Sequence, residues 1–166
     1  IMENQVLILD KERLSRKLQR MAYQIWENNS NEQQLYFIGI EGSGLIVAEE
    51  LARLLKEISK ITVQVVSLKM NKKHPMKEAA ELSVHLNNKA VVLIDDVANS
   101  GKTLLYALKP ILDFEPKKVL VAVLVDRKHK SFPITPDIVG HSIATTLQEH
   151  IEVVCEGKNI TAVYLQ

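Results

Sequence analysis

VVLIDDVANSGKT, residues 91–103, decides how the rest of the chain is read. Val91, Val92, Leu93 and Ile94 are four apolar residues in a row, too few for a helix and suited to a strand buried on both faces. Asp95 and Asp96 stand where that strand is expected to end. A short polar loop follows, passes through Gly101 into Lys102 and Thr103, and gives way to Leu104, Leu105, Ala107 and Leu108 at helical spacing. The order is strand, acidic pair, polar loop, helix start. Anions favour such a loop, because unpaired backbone N–H groups and the helix dipole point at the same spot. Carboxylates repel a bare phosphate but accept hydrogen bonds from hydroxyls. A ligand that carries a phosphate and a vicinal diol is a ribose 5-phosphate.

Two other readings compete. Ser100, Gly101, Lys102 and Thr103 look like the second half of a nucleotide-hydrolysing P-loop, but that motif needs another glycine at the position Asp96 holds. The plainer alternative is a buried strand followed by an ordinary helix, with Ser100 or Asn99 as its cap. The paired aspartates ahead of the loop argue for the ligand site.

Composition narrows the class. The 166 residues are 46% apolar and 25% charged, as in a soluble globular protein, and suffice for one domain spanning residues 1–166. A net charge of +1 gives no global argument for nucleic acid, and the single cysteine, Cys155, excludes an internal disulfide. No apolar run approaches the ~18 residues of a membrane helix, and the first residues lack the plan of a secretion signal. A cytoplasmic protein without a membrane role is expected.

Strand and helix patterns alternate along the chain. Residues 6–9 form a short apolar run fit for an edge strand. Asp10 is a candidate N-cap, followed by a helix with Leu14, Leu18, Met21, Ile25 and Trp26 on one face, a stripe for a core or a homodimer interface. Residues 35–40 (LYFIGI), 61–68 (ITVQVVSL), 91–94 and 119–125 (VLVAVLV) read as buried strands. Helical spacing covers residues 45–58 and 103–112. Residues 126–137 read as a polar tail, and residues 151–155 and 160–165 as an antiparallel hairpin. The expected fold class is α/β: a mostly parallel twisted sheet with helices on both faces, plus a small C-terminal hood. Ligands of such sheets sit at the carboxyl ends of the strands.

Other loops at that end hold candidate residues. Gly42 and Gly44 allow a close approach of backbone to an anion at the next helix start, or simply a tight turn. Lys69, Lys72, Lys73 and His74 form a basic cluster, suited to a polyanionic ligand or simply a solvated charged turn. Asp126 and Arg127 follow the fifth strand at the same end, as further ligand contacts or as members of ion pairs with their neighbours. No Cys/His cluster argues for a protein-built metal site.

The run at 91–103 resembles the signature by which type I phosphoribosyltransferases bind phosphoribosyl pyrophosphate (PRPP): apolar strand, two acids, then a Ser-Gly-Lys-Thr loop. The resemblance extends further. Residues 6–29 (VLILDKERLSRKLQRMAYQIWENN) and 122–146 (AVLVDRKHKSFPITPDIVGHSIATT) are similar to segments of the pyrimidine operon attenuator and uracil phosphoribosyltransferase family, in the same order. The run Val-Asp-Arg-x-His-x-x-x-Pro-Ile at 125–134 is the more specific mark of that branch.

The resemblance implies the type I phosphoribosyltransferase fold and transfer of phosphoribose from PRPP to uracil. UMP and pyrophosphate would be the products, and Mg²⁺ would enter on PRPP. It implies that Asp95 and Asp96 hold the ribose hydroxyls. Ala98, Asn99, Ser100, Gly101, Lys102 and Thr103 would wrap the 5′-phosphate, and Asp126, Arg127, Ile143 and Thr145 would border the base. Glu41, Gly42 and Ser43 match the pyrophosphate loop, commonly bent by a non-proline cis peptide, and Lys69, Lys72 and Lys73 would act on the leaving group.

Several positions depart from the family. The pyrophosphate loop usually reads Lys-Thr-Arg where this chain has Glu41, Gly42 and Ser43, so an anion replaces cations. The basic loop lacks the usual Arg-Asp-Asp, and Asn99 replaces an aromatic residue. Purine transferases of this fold carry an aspartate there as a base toward the purine, a role Asn99 has no proton-accepting group to fill. The alternatives are an RNA-binding regulator of pyrimidine genes that senses UMP or PRPP, with basic patches at residues 69–77 and 117–130, and a purine phosphoribosyltransferase.

Overall fold

The computed structural model describes residues 5–71, 82–144 and 149–166. In chain order its elements are β1 (Val6–Leu9), α1 (Lys11–Asn28), β2 (Gln34–Ile40), α2 (Ser43–Ile58), β3 (Thr62–Leu68), β4 (Ala90–Ala98), α3 (Lys102–Leu112), β5 (Lys118–Arg127), β6 (Ile138–Ile143), β7 (Ile151–Glu156) and β8 (Asn159–Leu165). The apolar runs become a parallel sheet of order β3-β2-β4-β5-β6. Its strands alternate between two cores. Leu35, Phe37, Val92, Ile94 and Leu124 pack with α1 and α2, while Tyr36, Ile38, Val91, Leu93 and Val123 pack with α3. Both faces are covered, which is why these strands read as unbroken apolar runs.

Helix α1 starts as expected: the Asp10 carboxylate accepts the Arg13 N–H at 2.8 Å. Its stripe of Leu14, Leu18, Met21 and Ile25 is buried within the chain's own core, so a homodimer draws no support from it. Trp26 departs from the stripe: it is 38% exposed and tilted against the exposed Tyr23.

Three corrections to the sequence reading bear on the site. β4 does not end before Asp95. Its ladder with β5 continues through Asp95 opposite Val123, Val97 opposite Val125 and Ala98 opposite Asp126, so the acidic pair and Asp126 are all strand residues. After the polar tail of residues 126–137 comes β6, an edge strand that the sequence reading did not assign and whose apolar pattern Gly140 breaks. A Cβ on Gly140 would lie 2.5 Å from the Leu124 carbonyl and 3.0 Å from the Met21 sulfur, so glycine lets α1 lie close to the sheet. The hood, finally, is not C-terminal alone. β7 and β8 form the expected hairpin, turning at Gly157 with φ 61°, and β1 completes an antiparallel sheet of order β1-β8-β7.

The sheet order places the cleft. β3 lies on one side of β2 and β4 on the other, while α2 leaves β2 toward one face and α3 leaves β4 toward the opposite face. The loops part between β2 and β4, opening a crevice at their carboxyl ends.

Candidate functional site

β4 carries its acidic pair to the rim of that crevice. Asp95 is 1% exposed, and its Oδ1 accepts the Asp96 N–H at 2.8 Å. Asp96 is half-buried, and its own Oδ1 accepts the Val97 N–H at 2.8 Å. These bonds to following amides fix both side chains against the backbone. Asp95 also meets the start of α2: a Cβ on Gly44 would sit 2.7 Å from its Oδ1.

The loop after β4 turns at Gly101, whose φ of 91° and ψ of −5° lie in the left-handed region. Gly101, and neither Ser100 nor Asn99, is the N-cap of α3, and as a glycine it brings no capping side chain. The Ser100 hydroxyl accepts the Lys102 N–H at 3.2 Å, and Leu105 N–H donates to the Gly101 carbonyl at 3.0 Å. A helix start behind a glycine N-cap is an arrangement that receives an anion.

The segment after β5 braces this loop. Ser131 and Phe132 donate their N–H groups to the Ser100 carbonyl at 3.0 and 3.1 Å. A Cβ on Gly101 would lie 2.7 Å from the Ile134 side chain. Arg127 Nη1 donates to Asn99 Oδ1 at 3.2 Å, and Lys130 pairs with Asp126 and with the Arg127 carbonyl. Ile143 lies opposite Arg127 in the ladder, and its carbonyl accepts the Lys128 N–H at 3.3 Å.

The hood closes the other side. A cavity of about 500 Å³ lies between residues 95–104 and residues 150–153 of the hood. Glu152 in that wall is held by Gln166 at 2.6 Å and Gln5 at 3.3 Å. The register of β7 against β8 shifts between Val154 and Cys155. The Cys155 thiol donates to the Ser43 hydroxyl at 3.8 Å, so hood and α2 touch. Burial pushes the pKa of that thiol up and the charge of Asp96 adds to the rise, while the Ser43 hydrogen bond acts against it.

The cavity thus gathers Asp95, Asp96, Ala98, Asn99, Ser100, Gly101, Lys102 and Thr103. Asp126, Arg127 and Ile143 sit together at the ends of β5 and β6, outside its lining. Glu41, Gly42 and Ser43 form the β2–α2 junction, where Gly42 has φ 98°. Glu41 N–H donates to the Leu68 carbonyl at 2.9 Å, which sets Lys69 beside the junction. The cis peptide implied for that junction is not found: no peptide is cis among the described residues. Lys72, Lys73, His74 and Thr145 lie outside the described residues. Among the described residues no group of His, Cys, Asp and Glu side chains is placed to hold a metal ion.

Sequence reasoning missed the hood wall at 150–153 and the contact of Gly44 with Asp95. Residues 150–153 carry no motif and reach the cavity only because the hairpin folds back. Gly44 did carry a signal, as a glycine just inside a helix.

Over residues 5–156 the chain matches the phosphoribosyl transferase domain family. It is 36% identical over 158 residues to the bifunctional protein PyrR of Latilactobacillus sakei, covering 88% of each chain. It is 37% identical over 161 residues to bifunctional protein PyrR 1 of Lactiplantibacillus plantarum, covering 90% of this chain and 89% of that one. The hypoxanthine phosphoribosyltransferase of Trypanosoma cruzi shares its architecture with a TM-score of 0.78 over 94% of both chains. Its 15% identity makes that a likeness of fold alone. The acidic pair at the sheet's carboxyl end and the match along almost the whole chain agree, and the chain belongs to the phosphoribosyl transferase family, in the branch of the bifunctional PyrR proteins.

Proposed function

We propose that the chain transfers phosphoribose from PRPP to uracil in the cytoplasm, giving UMP and pyrophosphate. One observation carries this reading: the acidic pair and the glycine-turned start of α3 share one cavity of about 500 Å³. That pairing suits a ligand with hydroxyls next to a phosphate. Mg²⁺ enters as part of the substrate, bound to PRPP oxygens.

In the reaction the bond from ribose C1 to pyrophosphate oxygen breaks and a bond from C1 to uracil N1 forms. The N1 proton passes to water, and the electron pair of the broken bond leaves with pyrophosphate. Asp96 faces the hydroxyl side of the ribose, and its negative charge favours the positive character that C1 gains. The 98–103 loop grips the 5′-phosphate and fixes the sugar, which lowers the entropic part of the barrier. Lys69 at the end of β3 contributes a cation toward the leaving group, joined by Lys72 and Lys73. Arg127 and Ile143 border the base. Asp126 is already paired with Lys130, which favours a role in holding the base segment over direct contact with the base. Asn99 accepts from Arg127 and offers no carboxylate base, which disfavours a purine acceptor.

Pyrophosphate release from Mg²⁺-PRPP with uracil, hypoxanthine, guanine, xanthine and orotate tests the reading. Turnover with uracil is expected; turnover confined to a purine, or none with any base, rejects it.

A second reading, regulation through RNA binding, is favoured by α1. Arg13, Arg16 and Arg20 surround Lys17, whose pKa is lowered by burial first and then by those neighbours. Such positive charge suits a phosphate backbone, with Arg16 already paired with Glu12 at 3.6 Å and Arg13 and Arg20 donating to backbone carbonyls. The patch expected at residues 117–130 is weaker support. Lys117 pairs with Glu32 at 2.8 Å, Lys118 holds the Asn28 carbonyl, and Lys130 is paired with Asp126. Most of the 69–77 patch lies outside the described residues. RNA affinity that falls steeply with salt, with a shallower slope after Arg16→Ala and Lys17→Ala, supports this reading; an interaction insensitive to salt excludes it.

A further inference from the structure

We infer that Asn99 reads the acceptor base, with Arg127 holding its amide so that the NH2 group is left for the ligand, where it donates to a ring carbonyl and rejects a ring amino group. The ligand this selects is a 4-keto pyrimidine nucleotide over its 4-amino counterpart. The inference deepens the ribose-phosphate reading of the cavity and rests on it.

Asn99 lies between Asp96 and the turn at residues 100–103, and it lines the cavity with an exposed side chain. With Asp96 on the ribose hydroxyls and residues 100–103 on the 5′-phosphate, Asn99 belongs to the stretch of ligand between them. A pyrimidine on C1 in its extended, anti orientation turns its C5–C6 edge toward the 5′-phosphate side, and the C4 substituent ends that edge. Arg127 Nη1 donates to Asn99 Oδ1 at 3.2 Å. A guanidinium carries donors only, so an amide turned end for end would set N–H against N–H. Oδ1 is thereby committed to a residue outside the cavity lining, and Nδ2, with two N–H donors, remains. Among the described residues Nδ2 carries no hydrogen bond. Lys130 adds to the hold: it pairs with Asp126 and with the Arg127 carbonyl, which fixes the strand end that carries the guanidinium.

A carbonyl at C4 accepts from the free NH2 group. An amino group at C4 meets it donor to donor, and donors covered by a ligand without acceptors cost more than one hydrogen bond gains. Asn99→Asp keeps the bond from Arg127 but replaces the donors by an acceptor, so the preference turns toward the amino group. The Asn99 side chain thus serves the base, while its backbone stays in the loop that wraps the phosphate.

Calorimetric binding of UMP, CMP and ribose 5-phosphate to the wild type, Asn99→Ala, Asn99→Asp and Arg127→Met tests this. The quantity read is the ratio of UMP to CMP affinity, in which any shared effect on ribose and phosphate cancels. The wild type is expected to favour UMP. Asn99→Ala is expected to lower the ratio about tenfold, and Asn99→Asp to lower it further. Arg127→Met is expected to lower it as Asn99→Ala does, because the released amide turns either end to the base. A ratio unchanged in any of the three variants overturns the inference. A wild type that binds ribose 5-phosphate without preferring UMP to CMP overturns it too and leaves the ribose-phosphate reading standing. A wild type that binds neither nucleotide nor ribose 5-phosphate defeats that reading and the inference with it.

Discussion

Glu41 sets a negative charge at the β2–α2 junction. Gly39 lies opposite Ile94 in the parallel ladder, and continuing that register brings Glu41 level with Asp96. Under the proposed reading this puts a negative charge beside the departing pyrophosphate, where cations would help. Glu41→Lys is expected to raise PRPP affinity roughly tenfold relative to UMP, which has no charge on that side, as read by calorimetry. Equal change in both ligands would show that Glu41 does not face the leaving group. Gly101 is the second residue on which the site depends. Its φ of 91° and the Ile134 side chain 2.7 Å from a built Cβ oppose any side chain there. Gly101→Ala is expected to lower the unfolding free energy by about 1–3 kcal/mol in urea titration and to weaken UMP binding. Both residues were visible in the sequence, Glu41 as an odd charge and Gly101 as the turn before a helix. What the sequence withheld was the Asp95–Gly44 contact, because it joins residues far apart in the chain.

Helix α1 joins core, sheet edge and surface charge. Arg20 donates to the carbonyls of Val139 and Gly140, at 3.2 and 2.5 Å, and so holds the helix to β6. His141 on β6 lies beneath the same helix. Burial lowers its pKa first, followed by the charges of Lys17 and Arg13. A histidine whose folded pKa is depressed leaves stability intact above its unfolded value of about 6.5 and removes it as pH falls toward the folded value. Stability in urea is expected to fall between pH 7.5 and 5.5, and His141→Gln is expected to flatten that fall. An unchanged slope in the variant would assign the effect to other groups. β6 was the strand the sequence hid. Gly140 and His141 interrupt its apolar pattern, and an edge strand against one helix needs no continuous apolar run. The stripe of α1 was legible, but its destination was not, since a core face and a subunit interface share one pattern.

At the scale of the molecule, hood and sheet share one core. Leu9 of β1 and Val163 of β8 are fully buried in the same cluster as α1, α2 and the sheet. Leu9→Ala is expected to cost about 2–5 kcal/mol and to leave a single unfolding transition by fluorescence and circular dichroism. A separate early transition would mean that the hood unfolds alone. The sequence by itself determined the parallel α/β class and the strand–acid–glycine–helix order. Those follow from patterns within a few residues, where burial, turn geometry and charge act locally. Only the tertiary structure decided that Asp95 is buried, that a hood built from both ends of the chain closes the cavity, and that α1 keeps its stripe inside. Those depend on contacts between distant segments, and the pattern of neighbours along a chain does not carry them.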